Sequence, residues 1–263
     1  LALNISRYPS FEPGGETVEP AALPGGPALD IQFKPRYSVY LEGETQAEFM
    51  VNAGISKWHG QPWPSLSTPD AAPQVVFTIN LVSNNDVLVS NRVNVSTLGN
   101  VFAFDLTQLK PSLDPYEVVL FGTTENGAFN VKANSELMFL PEKKTGSVTK
   151  LDNWNGGFLF RSPATKNKFE PFLPFGYYAS CDNFLCDKDF VTKIKAYKDL
   201  GLNSMVSLTT VQNSRAAYQY MDTIDLRYMY DLRGSYKNLT AVEEQVSVIR
   251  DFEGIYSYWG ADE

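Results

Sequence analysis

Between Ala28 and about Pro141 apolar side chains recur at every second position, the period of a strand with one buried face. Ile31 and Phe33 alternate with polar neighbours, as do Tyr37, Val39 and Leu41. Gln74 to Val82 is an apolar, β-branched run, and Val87-Leu88-Val89 with Val93 follows across the turn residues Ser83-Asn84-Asn85-Asp86. Further runs cover Val101 to Leu106, Tyr116 to Phe121 and Phe129 to Phe139. Turn signals separate them at Glu42-Gly43, Leu98-Gly99-Asn100, Pro111 to Pro115 and Glu125-Asn126-Gly127. About seven short strands at this spacing, with no helical period among them, predict an antiparallel β-sandwich over residues 28–145.

Residues 1–27 are rich in proline and glycine, which predicts irregular chain running over a surface. A long loop is expected from His59 to Pro73. There the rings of Trp58 and Trp63 read as a cap on the sandwich edge, with a binding loop as the alternative. Glu142 to Lys150 is polar, carries three lysines and marks the expected domain boundary. Residues 146–171 read as a connecting β-hairpin, Val148 to Leu151 and Phe158 to Arg161, about the turn Asp152-Asn153-Trp154-Asn155-Gly156-Gly157. It is expected to close the bottom of the following unit or to dock the two units together.

The period then changes. Phe172 to Ala179 is an apolar strand, and Asp187 is placed to cap a helix with the stripe Phe190, Ile194, Tyr197 and Leu200, stopped by Gly201. Leu202 to Leu208 is a second strand, followed by a helix capped by Asn213 or Ser214 that carries Ala217, Met221 and Ile224. Leu226 to Leu232 is a third. Thr240-Ala241-Val242-Glu243 reads as a capping box for a helix with Val242, Val246, Ile249 and Phe252, ended by Gly254. Ile255 to Trp259 is a fourth strand. The strands recur every 24 to 28 residues (Tyr177, Met205, Met229, Ser257), a βαβαβαβ pattern that predicts parallel pairing with right-handed crossovers.

Two parallel architectures compete. A doubly wound sheet needs a glycine-rich turn after its first strand, and Ala179-Ser180-Cys181-Asp182-Asn183 is not one. Polar residues instead collect after every strand end: Ser180 and Asp182, Thr209 and Thr210, Asp231 and Arg233, then Asp262 and Glu263. All would lie on the carboxyl-end face, where (β/α)8 barrels build their active sites. The expected fold is therefore multidomain: the sandwich, then about four βα units over 172–263 forming the first half of a TIM barrel, with the chain stopping after the fourth strand.

Composition narrows the function. A 43% hydrophobic fraction with 17 Phe, 14 Tyr and 4 Trp is ample for packed cores. A net charge of -8 argues against nucleic acid or an anionic membrane as partner. No run of about 18 apolar residues exists to span a membrane. The chain begins at Leu1 without a methionine, as after signal-peptide removal or other processing. Cys181 and Cys186 read as a local disulfide pinning a loop, with two reduced thiols as the alternative. A zinc site is not expected, since the single histidine, His59, lies far away in sequence and two ligands do not make a site. No metal and no cofactor is expected. Sequons at Asn4, Asn94 and Asn238, together with the cysteines, point to N-glycosylation and a secreted or cell-surface location.

Phe172-Leu173-Pro174-Phe175-Gly176-Tyr177-Tyr178 resembles the first barrel strand of many glycoside hydrolases whose barrel follows a β-sandwich. Lys150-Leu151-Asp152-Asn153-Trp154-Asn155-Gly156-Gly157 is similar to the hairpin that leads into their barrel. Met229-Tyr230-Asp231-Leu232-Arg233 and Tyr256 to Glu263 look like the third and fourth strands of secreted, fungal-type hydrolase-like proteins. The sandwich resembles an immunoglobulin-like accessory domain. In the largest clan of retaining glycosidases the fourth strand ends in a glutamate acid/base, usually after an asparagine. The resemblance, which covers about Leu151 to Glu263, implies that role for Glu263 alone. Asp262 stands where the sugar-binding asparagine is expected.

Glycoside hydrolysis needs two carboxyl groups, about 5–5.5 Å apart in retaining and about 6.5–9.5 Å in inverting enzymes. The resemblance implies a partner on a seventh strand, which four βα units do not contain, so this piece by itself is expected to lack hydrolase activity. Asp262 does not substitute, because neighbouring strand side chains face opposite ways. Each candidate also has a plainer reading. Glu263 reads more simply, in this piece alone, as a frayed terminus. Asp231 and Arg233 read either as a structural ion pair or as substrate contacts. Tyr177, Tyr178, Tyr258 and Trp259 read mainly as core, with one or two of them, Tyr178 and Trp259 by choice, forming a sugar platform. His59 reads as a loop residue. The leading expectation is a glycoside-hydrolase-like protein acting on glycan or polysaccharide. The alternatives are a non-catalytic cell-surface or carbohydrate-binding protein on the same scaffold, and self-association or pairing with the missing barrel half to cover open strand edges.

Overall fold

The computed structural model describes residues 21–63, 73–124 and 127–261. The chain order is β1 (Ala28–Pro35), β2 (Tyr40–Leu41), β3 (Gln46–Ser56), β4 (Gln61–Pro62), β5 (Gln74–Leu81), β6 (Val87–Asn94), β7 (Thr97–Asp105), β8 (Tyr116–Thr124), β9 (Asn130–Leu137) and β10 (Phe139–Leu140). Next come β11 (Val148–Leu151), β12 (Phe158–Arg161), β13 (Glu170–Phe172), β14 (Gly176–Ser180), α1 (Phe190–Asp199), β15 (Ser204–Leu208), α2 (Val211–Thr223), β16 (Arg227–Asp231), α3 (Leu239–Ile249) and β17 (Ile255–Trp259). Among the described residues, no helix is long and apolar enough to cross a membrane.

Period-two alternation produces two four-stranded antiparallel sheets, ordered β4-β1-β3-β7 and β6-β5-β8-β9. Their inward side chains meet in one core, where Phe49 stacks on Phe104 at 4.8 Å and Phe77 meets Phe102 edge-on at 5.0 Å. Burying each such ring stabilises the fold by roughly 1.5–3 kcal/mol. Strand β3 was not anticipated, although Ala47, Phe49, Val51 and Ala53 alternate inward. Two of its four inward positions are alanines, which give little apolar signal. The turn expected at Leu98-Gly99-Asn100 instead lies within β7, where Gly99 has φ +67° opposite a register shift in β3. The expected Tyr37–Leu41 strand shrinks to β2, which pairs in parallel with β10. Trp63 caps the core edge-on to Phe129 at 5.3 Å, whereas Trp58 stays 41% exposed.

The β11–β12 hairpin forms over its expected residues and gains β13 as a third strand. It is tied to both neighbours through buried cations. Lys150, read from sequence as part of a polar connector, is 1% exposed, with its ammonium on Glu44 and facing the rings of Tyr37, Tyr40 and Phe169. On the other side Arg227 lies over Phe160 at 4.1 Å and Phe172 at 4.5 Å and pairs with Glu170. Phe172 also meets Tyr256 edge-on at 5.2 Å.

The last four strands pair in parallel in the order β14-β15-β16-β17. Ala179, Met205, Tyr228, Tyr230 and Ile255 share a core with Ile194, Tyr218, Met221 and Ile249, so the three helices cover one sheet face. The strand expected over Phe172–Ala179 is divided: Phe172 ends β13, Gly176 opens β14, and Pro174 between them lacks an amide donor. Gly176 is required by close approach, since a Cβ there would lie 1.7 Å from the Ser204 carbonyl oxygen. Helix starts differ from expectation. Asp189, Thr210 and Asn238 occupy the N-cap positions in place of Asp187, Asn213 or Ser214, and Thr240. Asn238 accepts from the Ala241 amide at 3.2 Å, which leaves Thr240 inside α3. Asp187 instead binds Lys193 at 2.5 Å. Leu200, assigned to the buried stripe, is 80% exposed past the end of α1, and Gly201 stops that helix at φ +86°.

Asp222 joins the end of α2 to the amino ends of two strands. It accepts from Tyr228 Oη at 2.9 Å and from the amides of Glu253 at 3.1 Å and Gly254 at 2.8 Å. Burial is the largest influence on its carboxyl group and raises the pKa above 3.8, against those donors. The folded state therefore binds this proton more tightly than the unfolded chain does. Its contribution to stability is fully present below the unfolded value and is lost as pH rises through the folded value. Urea unfolding from pH 3 to 7 should show the free-energy difference between wild type and Asp222→Asn falling as pH rises; a flat or rising difference contradicts this.

Candidate functional site

Strand register decides which side chains leave the helix-covered face. Tyr178, Val206, Met229 and Ser257 are paired neighbours across the sheet, and Asp231 pairs with Trp259 one step nearer the carboxyl ends. These residues stand on the face opposite the helices. β14 and β17 are separated by three strand spacings, about 14 Å in a flat sheet. The rings of Tyr178 and Trp259 nevertheless lie 5.4 Å apart at 38°. The sheet therefore curls so that rings from its two edge strands meet over a concave face.

Arg233 completes this cluster. Its Nε donates to Asp231 Oδ1 and its Nη2 to Asp231 Oδ2, both at 3.0 Å, and its backbone amide donates to Oδ1 at 2.9 Å. The guanidinium carbon sits 4.1 Å from the centre of the Trp259 ring. The Leu232 amide donates to the Trp259 carbonyl at 2.8 Å, carrying the pairing of β16 and β17 past Asp231. Tyr178 is left with 60% of its surface exposed. The arrangement is an exposed aromatic ring beside a tryptophan covered by an arginine, whose orientation an aspartate fixes.

The helix side supports the rim. Tyr230 Oη donates to Gln245 Oε1 at 2.9 Å and accepts from the Val211 amide at 3.0 Å, and Tyr218 Oη donates to the Thr209 carbonyl at 2.7 Å. Burial pushes both phenols up, so they remain neutral donors at ordinary pH. Gln245, also bonded to Ser235 Oγ at 2.9 Å, was not among the sequence candidates. Its helical position carries no signal of the buried phenol it meets.

Cys181 and Cys186 form a disulfide, closing a loop directly after β14. Ser180 Oγ donates to the Asp182 carbonyl at 2.9 Å, and Lys193 Nζ holds the Asn183 carbonyl at 2.7 Å. Of the remaining candidates, Tyr177 is 64% exposed and its amide donates to Tyr197 Oη. Tyr258 lies 6.4 Å from Tyr230, and burial pushes its phenol up to about 12. His59 is a surface residue 3.2 Å from Asp30. Asn94 and Asn238 are exposed. Asn4, Asp262 and Glu263 lie outside the described residues.

No family model matches the sequence, and no curated protein matches it. Among solved structures, the chain is similar to a β-glucuronidase of Parabacteroides merdae bound to glycerol (11% identity, 88% of this chain and 28% of that one, TM-score 0.33). It is also similar to β-glucuronidases of Ruminococcus gnavus (8%, 88% and 38%, TM-score 0.30) and of Bifidobacterium dentium with coumarin-3-O-glucuronide (13%, 91% and 38%, TM-score 0.33). These are glycoside hydrolases, and the chain spans 28% to 38% of their lengths. Likeness at this level transfers no activity to the chain.

The Cys181–Cys186 loop is short, so its cross-link restrains the unfolded chain little, by about 2 kcal/mol. Replacing both cysteines by serine should lower unfolding free energy by about that amount while amide protection is lost over residues 181–187. Loss of protection throughout β14 to β17 would show instead that the bridge holds the whole sheet.

Proposed function

We propose that the chain belongs to a glycoside-hydrolase-like protein and that the carboxyl edge of β14–β17 is its sugar site. The observation that carries the reading is the meeting of Tyr178 and Trp259 across the concave face, with Asp231 and Arg233 between them in sequence and beside Trp259 in space. An exposed ring offers a flat apolar face to the C–H side of a pyranose, while neighbouring polar groups bond its hydroxyls. Curvature, parallel order and one-sided helix cover support reading β14–β17 as the first half of a (β/α)8 barrel. The paired antiparallel sheets support reading residues 28–145 as an immunoglobulin-like accessory sandwich. The disulfide and the exposed sequons at Asn94 and Asn238 support a secreted or cell-surface setting.

In this reading Glu263, which follows β17 in sequence, is the general acid/base. It requires a second carboxylate about 5–5.5 Å away for retention or about 6.5–9.5 Å for inversion. That group would come from chain beyond the four βα units, so residues 1–263 alone bind sugar without turning it over. The experiment is a screen of aryl glycosides and polysaccharides with the whole protein, its Glu263→Gln and Tyr178→Ala variants, and residues 1–263. Glu263→Gln should lower kcat by at least about 100-fold, the scale of a lost general acid/base, and Tyr178→Ala should mainly raise KM. Sugar binding by the whole protein without turnover would favour a non-catalytic carbohydrate-binding protein. Full activity of Glu263→Gln, or turnover by residues 1–263 alone, would contradict the assignment.

A further inference from the structure

The charge state of this edge bears on which sugar it takes, given the sugar-site reading above. Arginine presents a planar fork of N–H donors that fits a carboxylate with two parallel bonds. An arginine beside a stacking ring is therefore suited to receive the carboxylate of a uronic acid. Here one chelating edge of the fork is already taken, with Nε and Nη2 of Arg233 each 3.0 Å from an oxygen of Asp231. The Arg233 amide donates to Asp231 Oδ1 at 2.9 Å, so a tight turn holds the carboxylate in place. The Asp231 side chain is 13% exposed and shares the strand register of Trp259, against whose ring the guanidinium rests at 4.1 Å. A ligand carboxylate reaching this edge would meet a like charge at Asp231 and a chelating edge already occupied.

We propose that Asp231 is a specificity-determining residue: by chelating Arg233 it converts a carboxylate receptor into a support for Trp259, so that the site takes an uncharged pyranose and rejects a uronic acid. Arg233 is then a positioning residue that acts through the tryptophan ring. Rejection follows from repulsion and from an unmatched carboxylate, the usual routes by which a site excludes a close analogue. Asparagine at 231 keeps an acceptor for the Arg233 amide but removes the negative charge that holds Nε and Nη2.

The test is titration of the protein with matched pairs, methyl β-D-glucopyranoside against its uronic acid and methyl β-D-galactopyranoside against its uronic acid, followed by NMR. Wild type should favour the neutral member of a pair by roughly tenfold, and Asp231→Asn should move that ratio towards the uronate by a similar factor. The gain should shrink in 0.5 M NaCl, as a charge contact does, and should vanish when Arg233→Met is added. Asp231→Ser, which also keeps an acceptor for the amide, serves as a parallel variant, and thermal unfolding midpoints establish that each variant is folded. The ratio within a pair is a readout that general destabilisation does not move. Wild type binding uronates as tightly as neutral sugars, or a ratio unchanged in both Asp231 variants, overturns the proposal and leaves the sugar site standing. Failure of folded wild type to bind any of the four sugars overturns the sugar-site reading and this proposal with it.

Discussion

The contact between Tyr178 and Trp259 is the constraint on which the rest of this edge depends. The two residues belong to the outer strands of a four-stranded parallel sheet, yet their rings are 5.4 Å apart. Only a curled sheet permits that. Curling turns the face opposite the helices into a hollow and brings Asp231 and Arg233 to its rim. Alternation along β16 makes the choice: Tyr228 and Tyr230 go under the helices, whereas Met229 and Asp231 face the hollow. A one-residue slip in any of these strands would exchange the two sets.

The amino end of the sheet is held from below by a different kind of interaction. Arg227 is packed between Phe160 and Phe172 and paired with Glu170, and Lys150 is enclosed by aromatic rings and paired with Glu44. Each cation buries its hydrocarbon stem and keeps its charge satisfied by a carboxylate and by ring faces. Through them the three-stranded β11–β13 sheet is fastened to the paired antiparallel sheets on one side and to β14–β17 on the other. Burial is the largest influence on the Lys150 ammonium and lowers its pKa, partly offset by Glu44. The Glu44 carboxylate is therefore what keeps this connection favourable.

Much of this was legible from sequence because the governing signals are local. The β11–β12 hairpin and β17 fall on the expected residues, and Gly201 stops α1 through a positive φ that glycine accepts readily. Tyr178, Asp231, Arg233 and Trp259 were identifiable as residues at or just past the carboxyl ends of predicted strands. What sequence did not carry was spatial. Lys150 falls in the predicted strand Val148 to Leu151, but nothing there marks its ammonium for burial, because its partners are the distant Glu44 and Phe169. The choice between an ion pair and ligand contacts for Asp231 and Arg233 stayed open for the same reason. The geometry makes them a chelated pair against Trp259, a fact no local pattern in the sequence carries. Helix caps lie two to four residues from their expected positions, since several Asp, Asn, Ser and Thr side chains compete for each start and tertiary packing selects among them.

The four tryptophans offer a direct report on whether the hollow is where sugar binds. Trp58 and Trp154 lie on other exposed surfaces and Trp63 caps the antiparallel core, so each indole N–H reports a separate region. With 15N-labelled indoles assigned by substitution, titration of a glycan mixture should shift the Trp259 signal while the other three stay in place. A shift confined to Trp58 or Trp154, with Trp259 unmoved at saturation, would place the sugar elsewhere and contradict the account.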